Sequence, residues 1–248
     1  MKKLWTYYSD LLGRTIFHPQ YLMNISNYEI VRVIEDLKVN KGKLIDIGSG
    51  RMQYKDELLK YIEIYHSLDH PEISKYYDKK HNPDYLADIS KKTKLKDSFY
   101  DVVLMTQVLE YIENPQNAFK EINRVLKKGG TFIITSPFLY PIHDKPYDLQ
   151  RFTDQKIVNL LNNTGFKNIK VVTYGNTIST NILLIQVALF YSLMQSLKSR
   201  RILITILLLC LISISLIPLN IIGLLANSKS ENNESNFVYN YLITAKKS

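Results

Sequence analysis

The segment Leu44-Ile45-Asp46-Ile47-Gly48-Ser49-Gly50 decides the fold class, because a short apolar run passes directly into a glycine turn. Such a run predicts a buried strand, and the turn is typical of a step from strand to helix. Around it, the sequence pattern predicts helices at 30–37, 55–61, 115–126 and 153–163 and strands at 43–47, 64–68, 101–105, 131–135, 168–173 and 237–245. This alternation predicts an α/β fold, a doubly wound, mostly parallel sheet with helices on both faces.

Glycines and lysines mark the expected ends of two of these helices. The helix at 30–37 is expected to close at Asn40-Lys41-Gly42. The helix at 115–126 is expected to close at Lys127-Lys128-Gly129-Gly130, because cations and glycine suit a helix C-terminus.

The composition excludes several classes of protein. The 248 residues are 46% hydrophobic and 22% charged, which excludes a disordered or fibrous chain. A formal charge of +9 favours an anionic partner, either nucleic acid or a membrane surface. The basic residues are spread along the chain, so nucleic acid is the disfavoured choice. A single cysteine, Cys210, excludes a disulfide framework, and residues 1–20 lack a secretory signal pattern, so a cytoplasmic location is expected.

One part of the chain is unusually apolar. Residues 178–197 and 202–226 carry no charge, and Lys198, Arg200 and Arg201 separate them. The second stretch is long enough to cross a bilayer. However, a single crossing would leave the strand expected at 236–246 on the far side of the membrane. We therefore expect 178–226 to hold the protein on the cytoplasmic side of a membrane without one full crossing, and an apolar hairpin buried in a homodimer is the alternative.

Three aspartates stand where a nucleoside would bind. Asp46 precedes the glycine turn and suits a cationic amino group, although the turn could be purely structural. Asp69 ends the next strand, where a carboxylate can accept both hydroxyls of a ribose. Asp88 precedes the strand at 101–105 and could accept from an adenine amino group. Together they predict a nucleoside-binding site.

The chain from about 26 to 175 resembles class I S-adenosylmethionine-dependent methyltransferases, particularly their type-11 small-molecule branch. The resemblance rests on the segments 44–50, 99–111 and 121–130 with Asp69 and Asp88. It implies a seven-stranded sheet whose last strand lies between the fifth and the sixth, and it implies S-adenosylmethionine as cofactor. Met52 and Tyr111 depart from the pattern, since many members have glycine and histidine there.

The resemblance also implies roles for single residues. Asp46 and the turn would hold the methionine end of the cofactor, Asp69 the ribose, Asp88 with Ile89 the adenine, and Gln107 would line the pocket. The full set of expected cofactor-binding residues is Asp46, Gly48, Ser49, Gly50, Asp69, His70, Asp88, Ile89 and Gln107.

The segment 136–153 should overhang the transferred methyl group. It is similar to a segment of methyltransferases encoded with surface-polysaccharide and lipid-linked glycan enzymes. It supplies a base, His143, a carboxylate, Asp148, and a cation, Arg151, which we take as candidate catalytic residues. The alternatives are that Asp148 and Arg151 only pair with each other and that His143 is an ordinary loop histidine.

These features predict a methyltransferase acting on a hydroxyl of a glycan or glycolipid intermediate. A quinone-like lipid acceptor and a cofactor-binding membrane scaffold without turnover are the alternatives. No metal site is expected, because no Glu-bearing helix accompanies His66, His70 and His81. The expected organisation is an N-terminal cap at 1–25, a methyltransferase core at 26–176, an apolar insertion at 177–235 and a final strand at 236–248.

Overall fold

The computed structural model describes residues 7–9, 11–38, 42–76, 81–227, 229–230 and 235–248. Its centre is a sheet of eight strands in the order β3-β2-β1-β4-β5-β8-β6-β7. The strands are β1 Gly42–Ile47, β2 Ile62–Asp69, β3 Tyr85–Leu86, β4 Tyr100–Thr106, β5 Leu126–Pro137, β6 Phe166–Tyr174, β7 Lys229–Ser230 and β8 Asn240–Lys247.

Seven α-helices of four residues or more join these strands in the described parts of the chain. They are α1 Tyr21–Asp36, α2 Lys55–Leu58, α3 Pro71–Ser74, α4 Pro115–Val125, α5 Asp154–Asn162, α6 Thr177–Lys198 and α7 Ile202–Ala226. A 3₁₀ turn, Leu109–Tyr111, follows β4.

The predicted fold class is confirmed. β1 lies between β2 and β4 and pairs with both in parallel, and β4 pairs in parallel with β5. Leu44, Ile45, Val102 and Val103 on the two central strands are fully buried, as expected of strands covered on both faces. β8 lies between β5 and β6, as the resemblance implies, and the two-residue β7 adds an eighth, antiparallel strand at the edge.

Several predicted boundaries differ from those observed. α4 ends at Val125, because Leu126 already has extended dihedral angles, and Lys127–Gly130 lie within β5 instead of closing the helix. α1 begins at Tyr21, before the predicted residue 30, and α2 ends at Leu58. The closure predicted at Asn40-Lys41 lies outside the described residues, as do residues 1–6 and 10 of the N-terminal segment.

The chain divides into two compact units. One contains residues 28–138, 142–172 and 241–248, and the other contains residues 1–27, 139–141 and 173–240. All the predicted cofactor-binding and catalytic residues belong to the first unit. The predicted domain boundaries at 26 and 176 stay predictions.

The second unit is built around a hairpin formed by α6 and α7. Asn176 caps α6 by accepting hydrogen bonds from the backbone N–H groups of Ile178 and Ser179, in a capping box. Near the end of α7, the side-chain amide of Asn220 donates to the backbone oxygens of Ile16 and His18, 2.7 and 3.0 Å away. This end of the hairpin is therefore fixed to the N-terminal segment.

Candidate active site

The turn after β1 requires glycine at its first position. Gly48 has φ +68°, and a Cβ there would lie 2.3 Å from Cγ2 of Val108, in the segment that follows β4. Gly50 also has a positive φ, +50°. The backbone thus turns sharply at the carboxyl end of β1, with Val108 packed against Gly48, and this turn forms the cradle where a ligand binds in sheets of this kind.

Asp46 is a buried carboxylate near the end of β1. The hydroxyl of Tyr65 on β2 donates to its Oδ2 over 2.5 Å. Burial raises the pKa of Asp46 to about 7, because the Tyr65 hydrogen bond only partly offsets the loss of solvation, and the nearby Asp69 raises the pKa further. A cationic ligand would relieve this cost, so the group is suited to an ammonium.

Asp69 is fixed by the glycine turn. Its Oδ2 accepts from the backbone N–H of Gly50 at 3.0 Å, and its Oδ1 accepts from that of His70 at 2.8 Å. Burial raises its pKa, although both backbone bonds act in the opposite direction. Each oxygen keeps a further lone pair, so the carboxylate can still accept from two ligand hydroxyls. The His70 ring is exposed and accepts from the N–H of Glu72 at the start of α3.

Asp88 lies in the loop after β3 and is more exposed to solvent than Asp46 and Asp69. Burial acts against ionisation, yet the Ser90 N–H and Lys91 together hold the pKa of Asp88 below its usual value. The adjacent Ile89 is buried.

Gln107 stands at the end of β4 with φ +54°. Its backbone N–H donates to the carbonyl of Thr135 at 3.0 Å, and its side-chain amide donates to Oγ1 of the same residue at 3.2 Å.

Three hydroxyls at the carboxyl ends of neighbouring strands have no hydrogen-bond partner among the described residues. They are Oγ of Ser49 after β1, Oγ1 of Thr106 on β4 and Oγ of Ser136 on β5, and all three atoms are buried. Buried polar atoms normally have partners, so this edge of the sheet is incomplete without a ligand. Together with the cradle at Gly48 and the acids at Asp46 and Asp69, they fit the polar and cationic groups of S-adenosylmethionine.

The loop after β5 and the 3₁₀ turn after β4 together carry a connected chain of four side chains. The Tyr111 hydroxyl lies 2.8 Å from Nε2 of His143, whose Nδ1 lies 3.2 Å from Oδ2 of Asp148. Arg151 binds both carboxylate oxygens of Asp148. Arg151 and the His143 backbone N–H hold the pKa of Asp148 below its usual value, although its burial opposes this. The structure thus brings the three predicted catalytic residues together and adds Tyr111 to them.

Glu110 is a second residue that the sequence did not assign. Its side chain is fully buried, and neither carboxylate oxygen has a hydrogen-bond partner among the described residues. Burial raises its pKa to about 8, while Arg151 acts in the opposite direction. Glu110 is therefore largely protonated at neutral pH.

No group of three or more metal-ligating side chains occurs in the parts of the chain that the structure describes.

Comparisons with known proteins agree with this geometry. Residues 45–134 match a family model described as a methyltransferase domain. A relative from Methanocaldococcus jannaschii, described as an uncharacterised protein, is 34% identical over an 86-residue alignment that covers 30% of this chain. The match spans only 42% of that relative's length.

Solved structures show the same fold. A S-adenosylmethionine-dependent methyltransferase from Thermotoga maritima, described as a possible histamine N-methyltransferase, matches with a TM-score of 0.53 at 16% identity, over 94% of this chain and 99% of that one. A S-adenosylmethionine-dependent methyltransferase from Archaeoglobus fulgidus matches with the same TM-score and identity, over 90% and 93%. At such low identity the likeness shows the fold alone.

The expected methyltransferase domain and the expected fold are confirmed, and they support S-adenosylmethionine as the cofactor. The roles of the single site residues stay predictions, as does the finer resemblance to surface-polysaccharide enzymes. Tyr65 and Glu110 were missed. A lone acid in the apolar run after β4 is the signal that could have found Glu110, whereas nothing in the sequence pairs Tyr65 with Asp46.

Proposed function

We propose that the protein is a S-adenosylmethionine-dependent methyltransferase that methylates a hydroxyl of a glycan or glycolipid intermediate at the cytoplasmic surface of a membrane. The observation that carries the membrane part is the exposed helix α7. It has 25 residues and no charge, and only 11% of its most apolar stretch is buried. A methyltransferase domain on the same chain would then work where lipid-linked acceptors are concentrated.

The charges of the hairpin support an anionic membrane as the partner. Lys198, Arg200 and Arg201 cluster at the connection between α6 and α7. No acidic residue occurs between Asp154 and Glu231 in the sequence. Basic residues beside an exposed apolar helix are typical of proteins held in the interface of an anionic bilayer.

In this proposal the first unit binds the cofactor through the expected residues. Asp46 holds the ammonium group, Asp69 the ribose hydroxyls, and Asp88 with the backbone of Ile89 the adenine. Gly48, Ser49 and Gly50 form the cradle, and Gln107 is part of the pocket wall. The cofactor supplies an electrophilic methyl group, so the protein mainly has to align an acceptor oxygen and take up its proton.

The loop after β5 would carry the acceptor chemistry. His143 supplies an imidazole nitrogen that can take up a proton, and the Asp148 carboxylate lies beside its other ring nitrogen. Arg151 keeps Asp148 ionised and in place. A hydroxyl acceptor gives this arrangement a use, because a neutral hydroxyl must lose a proton as it is methylated.

Transfer of labelled methyl groups tests the proposal. The purified protein is incubated with methyl-tritiated S-adenosylmethionine and a total membrane lipid extract, and the labelled products are separated. We expect label in glycolipid fractions, with Asp69→Ala as a binding-deficient control. Label confined to the quinone fraction would replace the acceptor by a quinone-like lipid.

Calorimetry with S-adenosylmethionine separates the remaining outcomes. Binding without transfer to any lipid fraction would favour a cofactor-binding scaffold. An absence of binding by correctly folded protein would overturn the enzymatic proposal itself.

A further inference from the structure

Tyr111 occupies the nitrogen of His143 that a general base would use. The Tyr111 hydroxyl and Nε2 of His143 are 2.8 Å apart, a normal hydrogen bond. An acceptor hydroxyl therefore cannot reach this nitrogen without displacing the phenol. If His143 takes up the proton, it does so through Tyr111.

The direction of each hydrogen bond follows from the charge of Asp148. Its carboxylate is ionised, because Arg151 binds both oxygens and the His143 backbone N–H donates to it at 2.8 Å. An ionised carboxylate only accepts hydrogen bonds, so Nδ1 of His143 must carry the proton that points at Oδ2. A neutral imidazole then has a bare Nε2, which accepts from Tyr111. Asp144 offers Tyr111 a second acceptor, but at 3.4 Å it is the weaker one.

The position of this segment in the fold connects it with the cofactor turn. Val108 contacts the turn at Gly48, and the 3₁₀ turn that follows it ends at Tyr111. The loop that carries His143 and Asp148 is held to the same 3₁₀ turn, since the N–H of Leu149 donates to the carbonyl of Glu110 at 3.1 Å. Residues 108–111 thus connect the cofactor cradle, through Val108, with the proton-accepting pair, through Tyr111.

We propose that Tyr111 is the catalytic residue that contacts the acceptor hydroxyl, with His143 behind it as proton acceptor and Asp148 as the positioning residue. This inference rests on the proposed function. The acceptor oxygen bonds to the methyl carbon as the carbon–sulfur bond breaks. The acceptor proton passes to Oη of Tyr111 while the Tyr111 proton passes to Nε2 of His143. The positive charge lost from sulfur thus ends on an imidazolium that faces Asp148.

A purely structural role is the competing explanation, in which Tyr111 and His143 only hold the loop in place. The loop has other attachments, because the side-chain amide of Gln150 also donates to the carbonyl of Ile112. Loss of the Tyr111 hydroxyl should therefore leave the fold intact.

Nitrogen NMR on histidine-labelled full-length protein in detergent tests the relay without any acceptor. The chain has five histidines, and His143→Gln identifies the signal of interest. In spectra recorded at a pH where the ring is neutral, we expect the proton on Nδ1 and none on Nε2. Asp148→Ala removes the acceptor of the Nδ1 proton, so the preference for the Nδ1 tautomer should be lost. Protonation at Nε2 in the unmodified protein would overturn the relay.

Methyl transfer measured in the lipid assay gives the second readout. Tyr111→Phe should lower kcat by about 10²- to 10⁴-fold, with unchanged affinity for S-adenosylmethionine. Tyr7→Phe, which removes an exposed phenol hydroxyl in another part of the chain, is the matched control and should behave as the unmodified protein. Full activity of Tyr111→Phe would overturn the proposal. If the unmodified protein transfers no methyl group, the proposed function fails. The His143 tautomer seen by NMR then still shows whether Tyr111 donates its hydrogen bond to His143.

Discussion

At the scale of single residues, Asp69 is the sharpest test of the cofactor site. Asp69→Ala should weaken binding of S-adenosylmethionine, because two ribose hydroxyls lose a charged acceptor, and such hydrogen bonds contribute about 1.5–3 kcal/mol each. Calorimetry measures the change. Asp56→Ala, on the exposed surface of α2, is the control and should bind normally. Unchanged affinity in Asp69→Ala would remove this residue from the site.

Asp46 predicts a pH dependence of cofactor binding. Only the ionised carboxylate attracts an ammonium, and its pKa is about 7 in the free protein. The affinity should therefore fall up to about tenfold for each pH unit below 7 and level off above it. Asp46→Asn should bind weakly and lose this dependence between pH 5.5 and 7.5. A flat profile in the unmodified protein would contradict the assignment.

Glu110 predicts a pH dependence of stability. Its pKa of about 8 lies above the ordinary 4.5, so the folded state holds this proton more tightly than the unfolded state. The contribution to stability is complete below pH 4.5 and is lost as the pH rises towards 8. Denaturant unfolding of Glu110→Gln should show a smaller decline over this interval than the unmodified protein. Equal declines would mean that Glu110 does not titrate in this way.

At the scale of elements, the turn after β1 combines backbone conformation with a close contact. Gly48→Ala should destabilise the protein and abolish cofactor binding for two reasons. Alanine is strained at the positive φ of this position, and its Cβ would lie 2.3 Å from the side chain of Val108. Gly129→Ala is a matched control, since Gly129 has φ +75° but nothing within 4 Å of an added Cβ. Calorimetry and thermal unfolding should show that only the first variant loses binding. Equal losses of cofactor binding in the two variants would mean that the positive φ, and not the contact with Val108, causes the effect.

The elements also show what the sequence could predict. β1 and β4 were recognisable because buried parallel strands are apolar along their whole length. The end of α4 was misplaced, since Lys127-Lys128-Gly129-Gly130 suits a helix terminus as well as the start of a strand. In the site, Asp46 and Asp69 could be found from their place at the carboxyl ends of strands. Tyr65 could not, because its contact with Asp46 depends on the register of β1 against β2.

At the scale of the whole molecule, the proposed membrane attachment can be measured with vesicles. The protein should float with phosphatidylcholine vesicles that contain phosphatidylglycerol and resist elution by high salt, because α7 adds apolar burial to charge attraction. Neutralising Lys198, Arg200 and Arg201 to glutamine should weaken the binding. The same change at Lys60, Lys75 and Lys91, which lie in the other unit, is the control.

The side of the membrane on which the C-terminus lies gives a further check of the proposed attachment. A tag placed after Ser248 should stay on the cytoplasmic side in protease-protection experiments. Full recovery of a dimer in the soluble fraction without detergent would contradict membrane attachment and favour the hairpin as a subunit interface.

The insertion of β8 between β5 and β6 has a consequence for the order of folding during synthesis. β6 leaves the ribosome before β8, yet its place in the sheet is next to that later strand. The apolar helices α6 and α7 are made in the interval, while the sheet still has an open edge. They can therefore meet a bilayer or a chaperone before the domain is complete, and long-range pairing of this kind makes the final step slow and prone to aggregation.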